Sequence, residues 1–162
     1  MRWLRHLFAP SAHRLFPADL LQRIAQAIAE GERLHSGEVM FAVESGLHPS
    51  AVWAGVDARA AAHAAFARLR TWDTAANNGV LIYLLLADHH IEIVADRGLE
   101  GRVSAEEWDQ VCAQIEAGMR QGDPEAAVVA GVQAASALLA RAFPAVPGQR
   151  GDNELPDLPR IL

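Results

Sequence analysis

Lysine is missing from this chain. All 14 basic residues are arginine, against 20 acidic ones, for a formal charge of −6 over 162 residues. Without lysine there is no phosphate-cradling P-loop, which needs a Gly-rich turn ending in Lys and Ser or Thr. The acidic balance excludes a dedicated nucleic-acid binder, because neutralising phosphates takes a surplus of basic groups. Cysteine is nearly missing as well. Cys112 stands alone, so there is no intrachain disulfide and no cysteine-based zinc site. A lone thiol fits a reducing compartment, and the expected location is cytoplasmic. Neither a GxSxG nucleophile elbow nor an HExxH zinc motif is present. Cys112 falls on an apolar helix face and reads as a small core residue.

Long apolar runs are scarce too. The most apolar stretch, Ala126–Ala140, is interrupted by Gln133 and Ser136 and is mostly Ala, Gly and Val. It falls short of the roughly 20 strongly apolar residues of a membrane span. It reads as a buried helix, and no transmembrane segment is expected. Met1–Phe8 (MRWLRHLF) sets two Arg and a His among Trp3, Leu4, Leu7 and Phe8. No apolar h-region follows, so it does not read as a secretory signal. Two readings stay open for it. One is a short amphipathic helix making weak peripheral contact with a membrane. The other is a helix packed on the domain, or a frayed end.

What is present describes one globular domain, with 51% hydrophobic and 21% charged residues. It divides into an amphipathic segment (1–16), an α/β domain (17–145) and a polar, Pro-containing tail (146–162). Leu20, Leu21, Ile24 and Ile28 form a helical stripe within 17–34. Residues 38–44 read as a strand and 46–56 as a loop. Asp57 caps a helix to about Arg70. The run Val80–Ala87 reads as a strand buried on both faces. Asp88-His89-His90 turns the chain into a return strand, Ile91–Ala95. Ser104 and Glu107 make a capping box. Asp123-Pro124 opens a last helix to about Ala142. The predicted fold is a single-domain αβα sandwich. Its small mixed sheet has a parallel pair plus an antiparallel hairpin strand, covered by helices.

If strands 38–44 and 80–87 run parallel, their starts share one edge of the sheet with the end of strand 91–95. Glu38, the 73–78 loop with Asp73 and Asn78, and Asp96 then converge. Carboxylate and amide oxygens from loops suit a hard cation, Ca²⁺ or Mg²⁺. The competing reading makes Asp96 and Asn78 turn caps and pairs Glu38 with an arginine. The opposite edge carries Glu44, Asp88 and the Trp53 loop, and open α/β sheets usually bind ligands at that end. His89-His90 offers a metal pair, but neighbouring histidines at a turn usually face apart and outward.

Several stretches carry a resemblance. Thr74-Ala-Ala-Asn-Asn-Gly-Val-Leu-Ile-Tyr and Ile91-Glu-Ile-Val-Ala-Asp-Arg-Gly-Leu resemble the TPM domain family, as do Ser36-Gly37-Glu38 and Asp57-Ala-Arg-Ala-Ala-Ala. Trp108 and the tail Asn153-Glu-Leu-Pro-Asp resemble its short soluble bacterial branch. The resemblance covers about 17–157. It implies an αβα sandwich, Ca²⁺ binding in some members, weak phosphatase activity in others, and partnership with LemA-type membrane proteins. The positions it matches are Glu30, Glu38, Asn78, Gly79, Asp96 and Gly98. Two departures stand out. Asn77 replaces an arginine before Asn-Gly, and Asp88-His89 replaces Asp-Arg at the hairpin.

Two function classes follow. One is a non-catalytic interaction module, stabilised by a cation and acting with a membrane-protein partner. The other is a metal-dependent phosphomonoesterase, with Glu38 and Asp96 on the metal and Asp73 as ligand or base. No residue stands out as a nucleophile, and little positive charge is available to hold a phosphate.

Overall fold

The structure, a computed structural model, describes residues 1–146 and 153–162. In chain order its elements are α1 (Arg2–Leu7), α2 (Ala12–Leu15), α3 (Ala18–Gly31), β1 (Glu38–Glu44), α4 (Pro49–Trp53), α5 (Ala58–Arg68), β2 (Gly79–Leu85), β3 (His90–Ala95), α6 (Ala105–Arg120), α7 (Pro124–Ala142) and β4 (Arg160–Ile161). Short 3-10 turns occupy Leu86–Asp88 and Arg97–Leu99.

The strands form one sheet in the order β3-β2-β1-β4. β1 and β2 run parallel, from Glu38 opposite Gly79 to Glu44 opposite Leu85. β3 returns antiparallel, with Val80 opposite Ala95. Side chains alternate between the two faces, as the pleat requires. Val39, Phe41, Val43, Val80, Ile82, Leu84, Ile91 and Ile93 share one core with α3, α6 and α7. Met40, Ala42, Leu81, Tyr83, Leu85 and Val94 share the other with α5. Both faces are covered, so the central strands read as unbroken apolar runs rather than alternating ones. The expected αβα sandwich with its mixed sheet is the fold observed.

Local signals set most helix starts. Asp57 accepts the Ala60 N–H at 2.8 Å, and Asp123 accepts that of Ala126 at 3.0 Å. The Ser104–Glu107 capping box is complete in both directions. α7 is long and apolar enough to cross a membrane by length and composition. It instead buries Ala127, Val128, Val132, Ala135 and Leu139 in the core, which is the packing its small side chains predict.

Four boundaries differ from the sequence reading. α3 ends at Gly31 rather than at residue 34. The expected loop 46–56 contains α4, which is N-capped by His48 with Pro49 in its first turn. β2 stops at Leu85, and Leu86–Asp88 form a 3-10 turn instead of more strand. The tail read as polar supplies β4, which pairs parallel with β1 through Ala42–Arg160 and Val43–Ile161. A two-residue strand has no periodicity to detect, and its partner is far off in sequence. The tail's residues 147–152 lie outside the described residues.

Candidate functional site

The predicted edge exists. Glu38 begins β1 opposite Gly79, and Ala95 ends β3 opposite Val80. Two backbone bonds tie the three strand ends. The Glu38 N–H donates to the Asn78 carbonyl at 3.3 Å, and the Asp96 N–H to the Gly79 carbonyl at 2.9 Å.

The four expected cation ligands fare differently there. Glu38 is buried, and both its oxygens are engaged by the tail. The Glu154 N–H donates to Oε1 and the Leu155 N–H to Oε2, each at 3.2 Å. Burial raises the Glu38 pKa, those two N–H groups oppose the rise, and the Glu154 and Asp157 charges add to it. Asp73 does not join the group. It lies exposed, paired with Arg70, a local i,i+3 attraction that holds it away from the strand ends. Among the described residues, no three His, Cys, Asp or Glu side chains gather to hold a metal. Of the four expected positions, Glu38 is engaged by the tail and Asp73 is paired with Arg70, while Asn78 and Asp96 each keep an unpartnered side-chain oxygen.

Asn78 is 1% exposed. Its Nδ2 donates to the Ser36 carbonyl at 2.8 Å and its N–H to Thr74 Oγ1 at 3.1 Å. Only Nδ2 can donate to a carbonyl, so Oδ1 faces the other way, buried and without a hydrogen-bond partner. Asp96 Oδ1 caps the following turn by accepting the Arg97 N–H at 2.8 Å. Its Oδ2 is buried and unpartnered as well. Each such buried oxygen costs about 1–3 kcal/mol if left unmatched. In donor type the pair suits a hard, oxygen-seeking cation. In number it falls short of the six to eight oxygens that Ca²⁺ takes.

The remaining matched positions serve the backbone. A Cβ on Gly79 would lie 1.9 Å from the Thr71 carbonyl oxygen, and one on Gly98 would lie 2.4 Å from that of Asn77. Glu30 is exposed on α3, where it accepts the Gln26 amide one turn back. Asn77 adopts φ +52°, a left-handed conformation that asparagine tolerates better than arginine does. His90 lies exposed between Glu92 and Glu116, each at 3.0 Å.

Sequence reasoning missed Glu32 and the role of the tail. Glu32 Oε1 accepts the Val39 N–H at 3.1 Å. Burial, with the Glu38 and Asp157 charges adding to it, pushes its carboxyl up to about 8. Glu154 closes the 71–78 loop by accepting the Ala75 N–H at 2.9 Å, while Leu155 is buried on the α5 side of the sheet. The Asn-Glu-Leu-Pro-Asp segment is thus a clasp. Glu38→Ala is expected to release it at a cost of about 1–3 kcal/mol, read as faster amide exchange at Glu154 and Leu155. Unchanged protection would refute the clasp.

At the opposite edge α1 packs against the Leu86–Asp88 turn and α4. Arg2 Nη2 lies 2.8 Å from Asp88 Oδ2 and Nη1 donates to the Val56 carbonyl at 2.7 Å. His6 Nδ1 accepts the Leu47 N–H at 3.0 Å, so the ring proton is on Nε2, 3.3 Å from Asp88 Oδ1. Burial works against the Asp88 charge. The Arg2 hydrogen bonds and the Arg2 and Arg5 charges outweigh it and hold the pKa below the usual carboxylate value. At the same end the Tyr83 hydroxyl donates to Glu44 Oε2 at 2.6 Å. α1 lies across the end where α/β sheets usually take ligands, and a cavity lined by Arg2, Arg5, Asp57, Arg59, Asp88 and Glu92 remains beside it.

Comparison with known proteins places the chain beside a domain family and a solved structure. Residues 12–138 match the family model described as the TPM domain. The chain is similar to the BA42 protein from the psychrophilic bacterium Bizionia argentinensis, whose structure was solved by NMR. Identity is 28% and the TM-score 0.77, over 90% of this chain and 94% of that one. Among curated proteins there is no match.

Proposed function

The chain belongs to the TPM domain family, and from that premise we propose that it is a non-catalytic interaction module, steadied by a divalent cation and acting with a membrane-protein partner. The observation that carries the cation is the pair of buried, unpartnered oxygens, Asn78 Oδ1 and Asp96 Oδ2. A hard cation there would join the β2 and β3 ends, which a backbone bond already links. The role is structural because the neighbouring groups are committed elsewhere. Glu38 is taken by the tail and Arg70 by Asp73. The Cys112 thiol, pushed up to about 12 by burial and then by nearby acids, stays protonated and is no nucleophile. Trp53, 79% exposed on α4, offers a partner the kind of aromatic anchor that dominates interfaces.

Thermal unfolding of metal-stripped protein titrated with Ca²⁺ and with Mg²⁺ tests this reading. A ligand that binds only the native state adds about 2.7 kcal/mol at a hundred times its dissociation constant. A saturable rise in melting temperature, lost in Asp96→Ala and in Asp96→Asn, is expected. No shift with either ion would make the two residues turn caps. Phosphatase turnover that survives repurification, and is lost in both Glu38→Ala and Asp96→Ala, would overturn the non-catalytic reading.

A further inference from the structure

Helix α1 is docked inside out. A surface helix normally turns its apolar stripe to the core and its charges to water. In α1, Trp3 and Leu7 are one turn apart, as are Leu4 and Phe8, so the four share one face. That face points outward, with Phe8 76% exposed and the other three also open. The charged face points inward, through Arg2 on Asp88 and through His6, the one buried residue of the helix. Two polar anchors thus hold an apolar helix with its greasy side out.

The charge around the patch indicates what covers it. Residues 1–16 hold Arg2, Arg5, Arg14, His6 and His13 and no acidic residue, within a chain of formal charge −6. Arg5, His13 and Arg14 are exposed. Exposed Trp and Phe with arginine at the margin match the interfacial zone of a bilayer. There aromatic rings settle at the headgroup level and arginine stems lie along the apolar surface with their heads in the phosphates. A second copy suits the patch less well, since a two-fold contact would set Arg5 and Arg14 against their own duplicates. At about 8 Å, the screening length of physiological salt keeps the acidic body from opposing contact.

We propose that α1 is a peripheral anchor that lays this domain on an anionic lipid surface, its apolar side chains entering the headgroup region. The contact is small, so it is weak and needs both the apolar face and the basic rim. It does not depend on the cation proposed at the opposite edge.

The test is co-sedimentation of the full chain with phosphatidylcholine vesicles, either pure or carrying about a third phosphatidylglycerol. Binding to the anionic vesicles that weakens with added salt is expected, with little to the neutral ones. The Leu7→Glu/Phe8→Glu double variant is expected to lose about tenfold or more of the binding, and Arg5→Glu a smaller part. The double variant's melting temperature stays near wild type, because Leu7 and Phe8 are exposed, whereas Arg5→Glu turns a carboxylate toward Asp88 and lowers its own. No binding to anionic vesicles, or equal binding by the double variant, would overturn the proposal. So would a lipid-free dimer in sedimentation equilibrium that the same double variant dissolves, since the face would then belong to a second copy.

Discussion

Glu32→Gln is expected to stabilise the protein at pH 8 and above and to remove much of its loss of stability toward alkaline pH. The Glu32 carboxyl is pushed from 4.5 up to about 8 in the folded state, first by burial and then by Glu38 and Asp157. Below the unfolded value of 4.5 both states hold the proton, and the stabilising contribution is complete. Between 4.5 and 8 the folded chain keeps a proton that the unfolded chain has released. Stability therefore falls as pH rises, with a ceiling of about 1.4 kcal/mol per pH unit. Above 8 the loss is complete. Partial exposure reduces the total, and about 2 kcal/mol is a reasonable expectation. Glutamine keeps the oxygen that accepts the Val39 N–H and cannot ionise. Urea unfolding of both proteins at pH 5, 7 and 9 measures the effect. The variant's advantage should be near zero at pH 5 and grow to pH 9. An advantage that does not change with pH would refute the assignment.

Gly79→Ala is expected to cost about 3 kcal/mol or more. The added Cβ would lie 1.9 Å from the Thr71 carbonyl oxygen and 3.0 Å from its carbon. Neither partner can easily retreat. Gly79 opens a strand paired on both sides, and Thr71 is fully buried with its hydroxyl on Met40 Sδ at 3.4 Å. Gly101 makes a useful control. Nothing lies within 4 Å of a Cβ there, but its φ is +72°, so alanine should cost only about 1 kcal/mol of backbone strain. Equilibrium unfolding in urea separates the two. If Gly79→Ala matches or beats Gly101→Ala in stability, the close approach is not what requires glycine at 79. If Gly79→Ala does not fold while Gly101→Ala does, the ranking stands.

Much of this protein was legible in its sequence because the controlling interactions are local. A cap bonds across three residues, so Asp57, Asp123 and the Ser104–Glu107 pair announced their helices. A helical stripe repeats within two turns, so Leu20, Ile24 and Ile28 marked a buried face. Parallel pairing then followed from strand order, and with it the meeting of Glu38, Asn78 and Asp96 at one edge. Sequence alone did not decide which oxygens at that edge stay free. Glu38 looked available, yet it is bound by amides 116 and 117 residues away. Asp73 looked convergent, yet Arg70 holds it on the surface. Glu32 carried no signal, because its shifted proton affinity comes from burial and from two carboxylates brought by other elements. The pattern of Met1–Phe8 showed an amphipathic helix but not which side faces out. That orientation is decided by Asp88, across 86 residues, where desolvating one carboxylate required the cation that Arg2 provides. Local geometry is written in neighbouring residues. Burial of charge and the pairing of distant segments exist only once the chain has folded.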